Sequence, residues 1–181
     1  YARGLRTAVG IRLHPTRDEI WTTDNGRDWL GDDLPSEEIN IISKAGQDFG
    51  WPYCYYDWRR RQKVLQPEYG GDGKTVGRCE SVPKPVVAFP GHWAPNGLTF
   101  YNNRTFPQKY RGGLFVAFHG SWNRAPLPQA GYKVVFVPMA RGVVNGPAEV
   151  FADGFAGPVV TPQGARHRPT GLTVGPDGSL Y

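Results

Sequence analysis

The chain has 181 residues, 39% hydrophobic, 13% aromatic and 20% charged, with 24 Gly and 17 Pro. That is enough for one domain with a real core, too apolar for a disordered chain, and without an apolar run long enough for a membrane-spanning helix. The formal charge of +5 suits an anionic ligand, but the basic run WRRRQK (58–63) sits between Asp57 and Glu68 with no nucleic-acid motif around it, so it reads as a solvated loop face.

Frequent Gly and Pro with Tyr, Trp and Phe between them indicate an all-β protein. The first unit, AVGIRLHPTRDEIWTTDNG (8–26), is an apolar strand, a turn and a second apolar strand. TDNGRDWLGDD (23–33) follows, with Asp24, Asp28, Asp32 and Asp33 around Gly26 and Gly31. An EF-hand needs acids at its first, third and fifth positions and Glu at its twelfth, and the pattern fails from both Asp24 and Asp28. Two readings remain: a solvated turn whose acids cap backbone groups, or a cation held by backbone carbonyls in the Asn25-Gly26 turn.

SEEIN (36–40) resembles a capped helix start, but the β-branched residues after it favour a strand, which ends in the Gly-rich turn of EINIISKAGQDFGWP. Cys54 and Cys79 flank a polar, Gly-rich loop. Two buried thiols are one reading. A disulfide is the expected one, contributing about 3 kcal/mol and pointing to an oxidising compartment.

APNGLTFYNNRTFPQKYRGGLFVAFHG (94–120) repeats the first unit with a longer turn. YKVVFVPMARG and AEVFADGFAG supply two more strands, and RPTGLTVGPDGSLY (168–181) begins the unit a third time. Gly10, Gly97 and Gly171 open the three units at spacings of 87 and 74 residues. Repeated sheets of about four short strands predict a β-propeller, whereas a β-sandwich accounts for the strands but not for the recurrence. With no signal peptide at Tyr1 and a final unit that stops as a strand should begin, residues 1–181 are expected to be a piece of a single β-propeller domain, about three antiparallel blades.

Arginines recur at the starts of the units: Arg6 before the first, Arg166 and Arg168 before the third, and Arg124 in HGSWNR after the second unit's second strand. Inner strands of a propeller enter at one mouth of the channel, so these four are expected to converge on a polyanion. His14 reads as a turn residue. His92 and His119 read either as packed residues or as general bases. No GxSxG, HExxH, P-loop or GxGxxG motif is present.

GLRTAVGIRLHP, EIWTTDNGRDWLGDDLPSEEIN, FGWPYC, HWAPNGLTFY, YRGGLFVAFHGSWNR and RPTGLTVGPDGSLY together resemble the sorbosone dehydrogenase group of soluble sugar dehydrogenases that use pyrroloquinoline quinone. The resemblance implies a six-bladed propeller, a quinone bound on Ca²⁺ at the channel mouth, a sugar or aldose-like substrate, an external electron acceptor, and a periplasmic or secreted location. It places the metal on the carbonyls of Gly26 and Arg27 and the quinone on Arg6, Thr7, Arg124, Arg166 and Arg168, with Thr7 standing where the family has Asn. It puts the catalytic base on a His upstream of the matched residues, so no residue here is assigned that role. A Ca²⁺-dependent propeller lactonase and a non-catalytic binding propeller are the alternatives. The lactonase would need side-chain carboxylates and Asn at the mouth.

Overall fold

The computed structural model describes all of residues 1–181. Its strands are β1 (Ala2–Arg3), β2 (Ile11–Leu13), β3 (Ile20–Asp24), β4 (Glu37–Ile42), β5 (Gln47–Asp48), β6 (Cys54–Asp57) and β7 (Gln62–Leu65). They continue with β8 (Val87–Phe89), β9 (Pro95–Phe100), β10 (Leu114–Phe118), β11 (Lys133–Val137), β12 (Met139–Ala140), β13 (Val143–Val144) and β14 (Glu149–Ala152). Two four-stranded antiparallel sheets dominate, ordered β2-β3-β4-β8 and β9-β10-β11-β14. Each starts at the strand that opens a repeat unit. The third unit is present only as a hairpin around the Val174–Leu180 bridge, so the expected three blades are two sheets and a beginning.

Side chains alternate between faces along a strand, so a sheet buried on both sides needs apolar residues at every position. β10, LFVAF, is of this kind and is buried throughout. Leu114, Val116 and Phe118 pack toward the first sheet with Trp21, Ile39, Phe89 and Leu98. Phe115 and Ala117 face the other way, onto Tyr101, Val134, Phe136 and Leu172 of the third unit. The recurring glycines lie where these layers meet. A Cβ on Gly10 would stand 3.2 Å from the Gly97 Cα, and one on Gly97 would stand 2.2 Å from Thr170 O and 3.3 Å from the Gly171 Cα. Gly10 and Gly97 thus sit where successive units close on one another, a Cβ on Gly10 also standing 2.8 Å from Leu98 Cδ2, whereas a Cβ on Gly171 would meet open space. On the outer face of the first sheet Ile11 and Leu13 remain 53% and 75% exposed.

Between β4 and β8 the chain detours through the β6–β7 hairpin and two short 3₁₀ turns, Pro67–Tyr69 and Gly77–Ser81. Cys54 and Cys79 close this detour as a disulfide, with Cα atoms 5.8 Å apart. The basic run forms the tip of the hairpin, where Arg59, Arg60 and Arg61 are exposed. Lys63 departs from the solvated-face reading: it is buried on β7 and binds Glu38 at 3.0 and 3.1 Å.

His14 is more than a turn residue. It is buried against Phe100 and Trp21, and its Nδ1 accepts the Thr16 N–H at 3.2 Å. Burial lowers its pKa from the ordinary 6.5, with Glu19 opposing and Arg17 adding to the shift. Just below 6.5 the unfolded chain therefore binds a proton that the folded chain does not. The stability His14 contributes is complete above that pH and is lost as the pH falls through the folded value. The denaturation midpoint is expected to drop between pH 7.5 and 5.5 by more in the wild type than in His14→Asn, whose amide oxygen can still accept the Thr16 N–H. Equal drops would remove His14 as a source of the acid sensitivity.

Candidate cofactor and substrate cleft

The turn after β3 and the loops before β9 and after β10 surround an open cleft of about 290 Å³, lined among others by Arg6, Asn25, Gly26, His92, His119 and Arg168. The acids of TDNGRDWLGDD do not converge in it. Asp24 accepts the backbone N–H groups of Arg6 at 3.0 and 3.1 Å and of Thr7 at 2.6 Å, and burial raises its pKa to about 6. Asp28 accepts from Asn123 Nδ2 at 2.9 Å and lies 3.8 Å from the Arg6 guanidinium. Asp33 takes Arg124 at 2.6 Å and Arg59 at 3.0 Å, and Asp32 is exposed. No three His, Cys, Asp or Glu side chains are grouped to hold a metal ion. Asp24, Asp28 and Asp33 are used one by one to fix the loop.

That leaves backbone and amide oxygens. Gly26 O faces the cleft and accepts from Arg6 Nη1 at 2.8 Å, with Asn25 O at 3.3 Å from the same nitrogen. Asn25 Nδ2 donates to Asn96 Oδ1 at 3.0 Å, which leaves Asn25 Oδ1 buried without a partner. The Asn123 Nδ2–Asp28 bond leaves Asn123 Oδ1 in the same state. An orphaned amide oxygen such as Asn25 Oδ1 beside the Gly26 carbonyl is the kind of hard donor a Ca²⁺ ion takes, and guanidinium groups in the same cleft suit carboxylates. The residues present therefore fit a quinone tricarboxylate on Ca²⁺.

The structure brings Arg6, Thr7, Gly26 and Arg168 to this one cleft. Arg168 is braced by Gly120 O at 3.1 Å, Pro162 O at 2.9 Å and the Tyr132 ring at 5.0 Å. Arg27 spends its guanidinium fork on Glu68, at 2.9 and 2.7 Å, and so ties the turn to the Pro67–Tyr69 helix. Arg124 does not line the cleft: it is buried on Asp33, Gly91 O and Pro128 O, where it locks the acidic loop. Arg166 is exposed and packs over Gly157 instead. Arg124 lies apart because Asp33 and two backbone carbonyls hold it, partners that the repeat pattern does not reveal, while no side-chain partner draws Arg166 to the cleft.

His92 is buried and its Nε2–H donates to Gly31 O at 2.6 Å, which makes it a loop fastener. His119 is half-buried in the cleft, and burial together with Arg168 lowers its pKa, which favours the neutral imidazole. Sequence reasoning missed Glu37. It is buried in the cleft lining and takes the Gly26 N–H at 3.1 Å, and the backbone N–H groups of Ala94 and His92, both held at positive φ (56° and 69°), favour its charged form. Burial raises its pKa to about 8 despite these donors. A carboxylate opening an apolar strand was the available signal. The Asn25–Asn96 contact had one too, since both residues belong to Asn-Gly pairs in the first and second units.

Residues 1–181 match the TrAA12-like family from end to end. The chain belongs to that family. It is 38% identical over 159 residues to a pyrroloquinoline quinone-dependent pyranose dehydrogenase of Coprinopsis cinerea, covering 75% of this chain and 21% of that protein. It is 26% identical over 142 residues to a pyrroloquinoline quinone-dependent sugar dehydrogenase of Hypocrea jecorina, covering 65% and 31%. The chain thus spans less than a third of either relative. Among solved structures it resembles the iodide structure of a Trichoderma reesei carbohydrate-active enzyme of family AA12, with a TM-score of 0.78 at 25% identity over 99% of this chain and 50% of that one. This TrAA12-like chain also shares its fold with the holo pyranose dehydrogenase quinone domain of Coprinopsis cinerea, with a TM-score of 0.68 at 24% identity over 99% and 51%.

Proposed function

We propose that these residues form part of a six-bladed propeller within a longer polypeptide. That polypeptide oxidises a sugar or aldose-like substrate, sorbosone or a close analogue among them, with pyrroloquinoline quinone bound on Ca²⁺ and electrons passed to an external acceptor. The observation that carries this reading is a single cleft holding Arg6 and Arg168 together with Gly26 O and the orphaned Asn25 Oδ1. The 38% identity to a quinone-dependent pyranose dehydrogenase supports it.

In this assignment Arg6 and Arg168 hold carboxylates of the quinone, and the carbonyls of Gly26 and Arg27 with Asn25 Oδ1 hold the metal. Held there, a quinone–Ca²⁺ pair would supply a polarised, hydride-accepting carbonyl. Glu37 keeps the Gly26 turn in register through its N–H bond, and Asp24 does the same for the Arg6–Thr7 backbone. The neutral His119 adds no charge to compete with the two guanidinium groups. The disulfide supports a periplasmic or secreted location, where such a bond persists.

The lactonase reading draws on Asn25, Asn96 and Asn123 in the cleft lining, and one experiment separates the two. The full-length protein is mixed with the quinone and Ca²⁺, and its visible spectrum and sugar-dependent dye reduction are recorded. A red-shifted quinone band and dye reduction are expected. Arg168→Ala should weaken quinone binding about tenfold or more, as loss of a charge-assisted pair does, while Arg59→Ala at the hairpin tip leaves it unchanged. Lactone hydrolysis without quinone uptake would establish the alternative, and equal effects of the two Arg variants would remove Arg168 from the cofactor site.

A further inference from the structure

Next to the cleft, on its outer side, stand two tryptophans. Trp29 lies in the loop after β3 and Trp122 in the loop after β10. They are 74% and 51% exposed, with ring centroids 5.4 Å apart and planes at 81°. Trp122 and Asn123 line both the cleft and an adjoining hollow of about 340 Å³ whose far wall is Trp29. Trp29 holds φ at 67°, a left-handed conformation that a bulky residue adopts only when its surroundings enforce it. Between the two hollows sits Asn123, whose Nδ2 is committed to Asp28 and whose Oδ1 is buried with no partner.

The two large apolar rings are exposed and pack edge to face on each other. They add nothing to either core and neither is in a buried cluster. Their arrangement has the form of a sugar subsite. Perpendicular rings make a corner that can meet the C–H face of a pyranose with one indole and its edge with the other. An unpaired amide oxygen beside them accepts a hydroxyl that the stacked ring presents.

We propose that Trp29, Trp122 and Asn123 Oδ1 form the subsite that receives the pyranose ring of the substrate and sets selectivity for cyclic sugars over open-chain polyols. The inference rests on the oxidoreductase reading for what happens next to the sugar, but not for the binding itself. Trp29 and Trp122 act by position: they touch the sugar ring and leave the reacting carbon to the cleft.

The test uses the full-length protein with D-glucose and, as an open-chain control, mannitol. In the quinone-loaded enzyme, Trp29→Ala and Trp122→Ala are each expected to raise KM for glucose about tenfold with kcat within about twofold, the loss of roughly one stacking contact. Trp122→Phe should restore most of the affinity. Without cofactor, glucose should change the tryptophan emission of the wild type and mannitol should not, and Trp122→Ala should abolish the response. Unchanged KM in both alanine variants, with normal quinone loading, overturns the subsite and leaves the oxidoreductase reading standing. If the wild type oxidises no sugar, the oxidoreductase reading fails and the emission titration alone decides: a glucose-specific response sustains the subsite, and its absence overturns it. Should the alanine variants fail to fold, the wild-type titration decides between the same two outcomes.

Discussion

Lys63→Met is expected to destabilise the fold by about 3–5 kcal/mol, because it leaves a buried carboxylate without its counter-charge. The Lys63 and Glu38 side chains are 4% and 7% exposed and lie 3.0 Å apart. Lys63 Nζ also donates to Phe49 O at 3.3 Å, and Glu38 Oε2 accepts from Asn40 Nδ2 at 3.0 Å. Neither charge can reach water when the other is removed. The damage should extend to the cleft, since Glu38 raises the Asp24 pKa and Lys63 lowers it, and Asp24 holds the backbone of Arg6 and Thr7. Guanidinium denaturation of Lys63→Met and of the double variant Lys63→Met/Glu38→Gln measures this. The double variant should recover a large part of the loss because its buried pair is neutral. For comparison, breaking the exposed Lys109–Glu149 pair should change stability by less than about 1 kcal/mol. A Lys63→Met midpoint equal to wild type would overturn the pair as a source of stability.

Gly97→Ala is the second large effect. The added methyl would stand 2.2 Å from Thr170 O, a distance at which one backbone must move. Overpacking of this kind costs about 1–3 kcal/mol or more. The displaced segment also carries Arg168, two residues before Thr170, into the cleft. A stability loss of about 3 kcal/mol is therefore expected together with weaker quinone uptake. Gly31→Ala is the control, because its Cβ would meet only Leu34 at an ordinary 3.7 Å, and it should be close to neutral. Gly97→Ala with wild-type stability would show that the strands of the second and third units can separate at little cost.

The sheets were legible where side-chain alternation is strong. β3, β4, β9, β10 and β11 follow from their apolar and β-branched runs, and the recurrence of Gly10 and Gly97 placed them in equivalent units. β8 was not legible. It is three residues long, and the chain reaches it only after the disulfide-closed detour, so no local pattern ties it to β4. Arg6 and Arg168 were legible as positions that open repeats. The location of Arg124 was not, since its partner Asp33 is 91 residues away in sequence, and such a pair exists only once the loops are folded together. Glu37 and Lys63 were hidden for the same reason: a charged side chain is read as solvated until the element that covers it is known.

The backbone contacts at Gly10, Gly97 and Gly171 also bear on how such a protein can change. Where the inner strands meet, Gly10 and Gly97 have no room for a Cβ, so the spacing between Arg6 and Arg168 is set by backbone approach and tolerates no larger residue at these two positions. Trp29, Trp122 and Asn123 sit on loops outside that contact. On the proposed function, drift in the loops can therefore produce a new preference among sugars while the cofactor cleft keeps its dimensions.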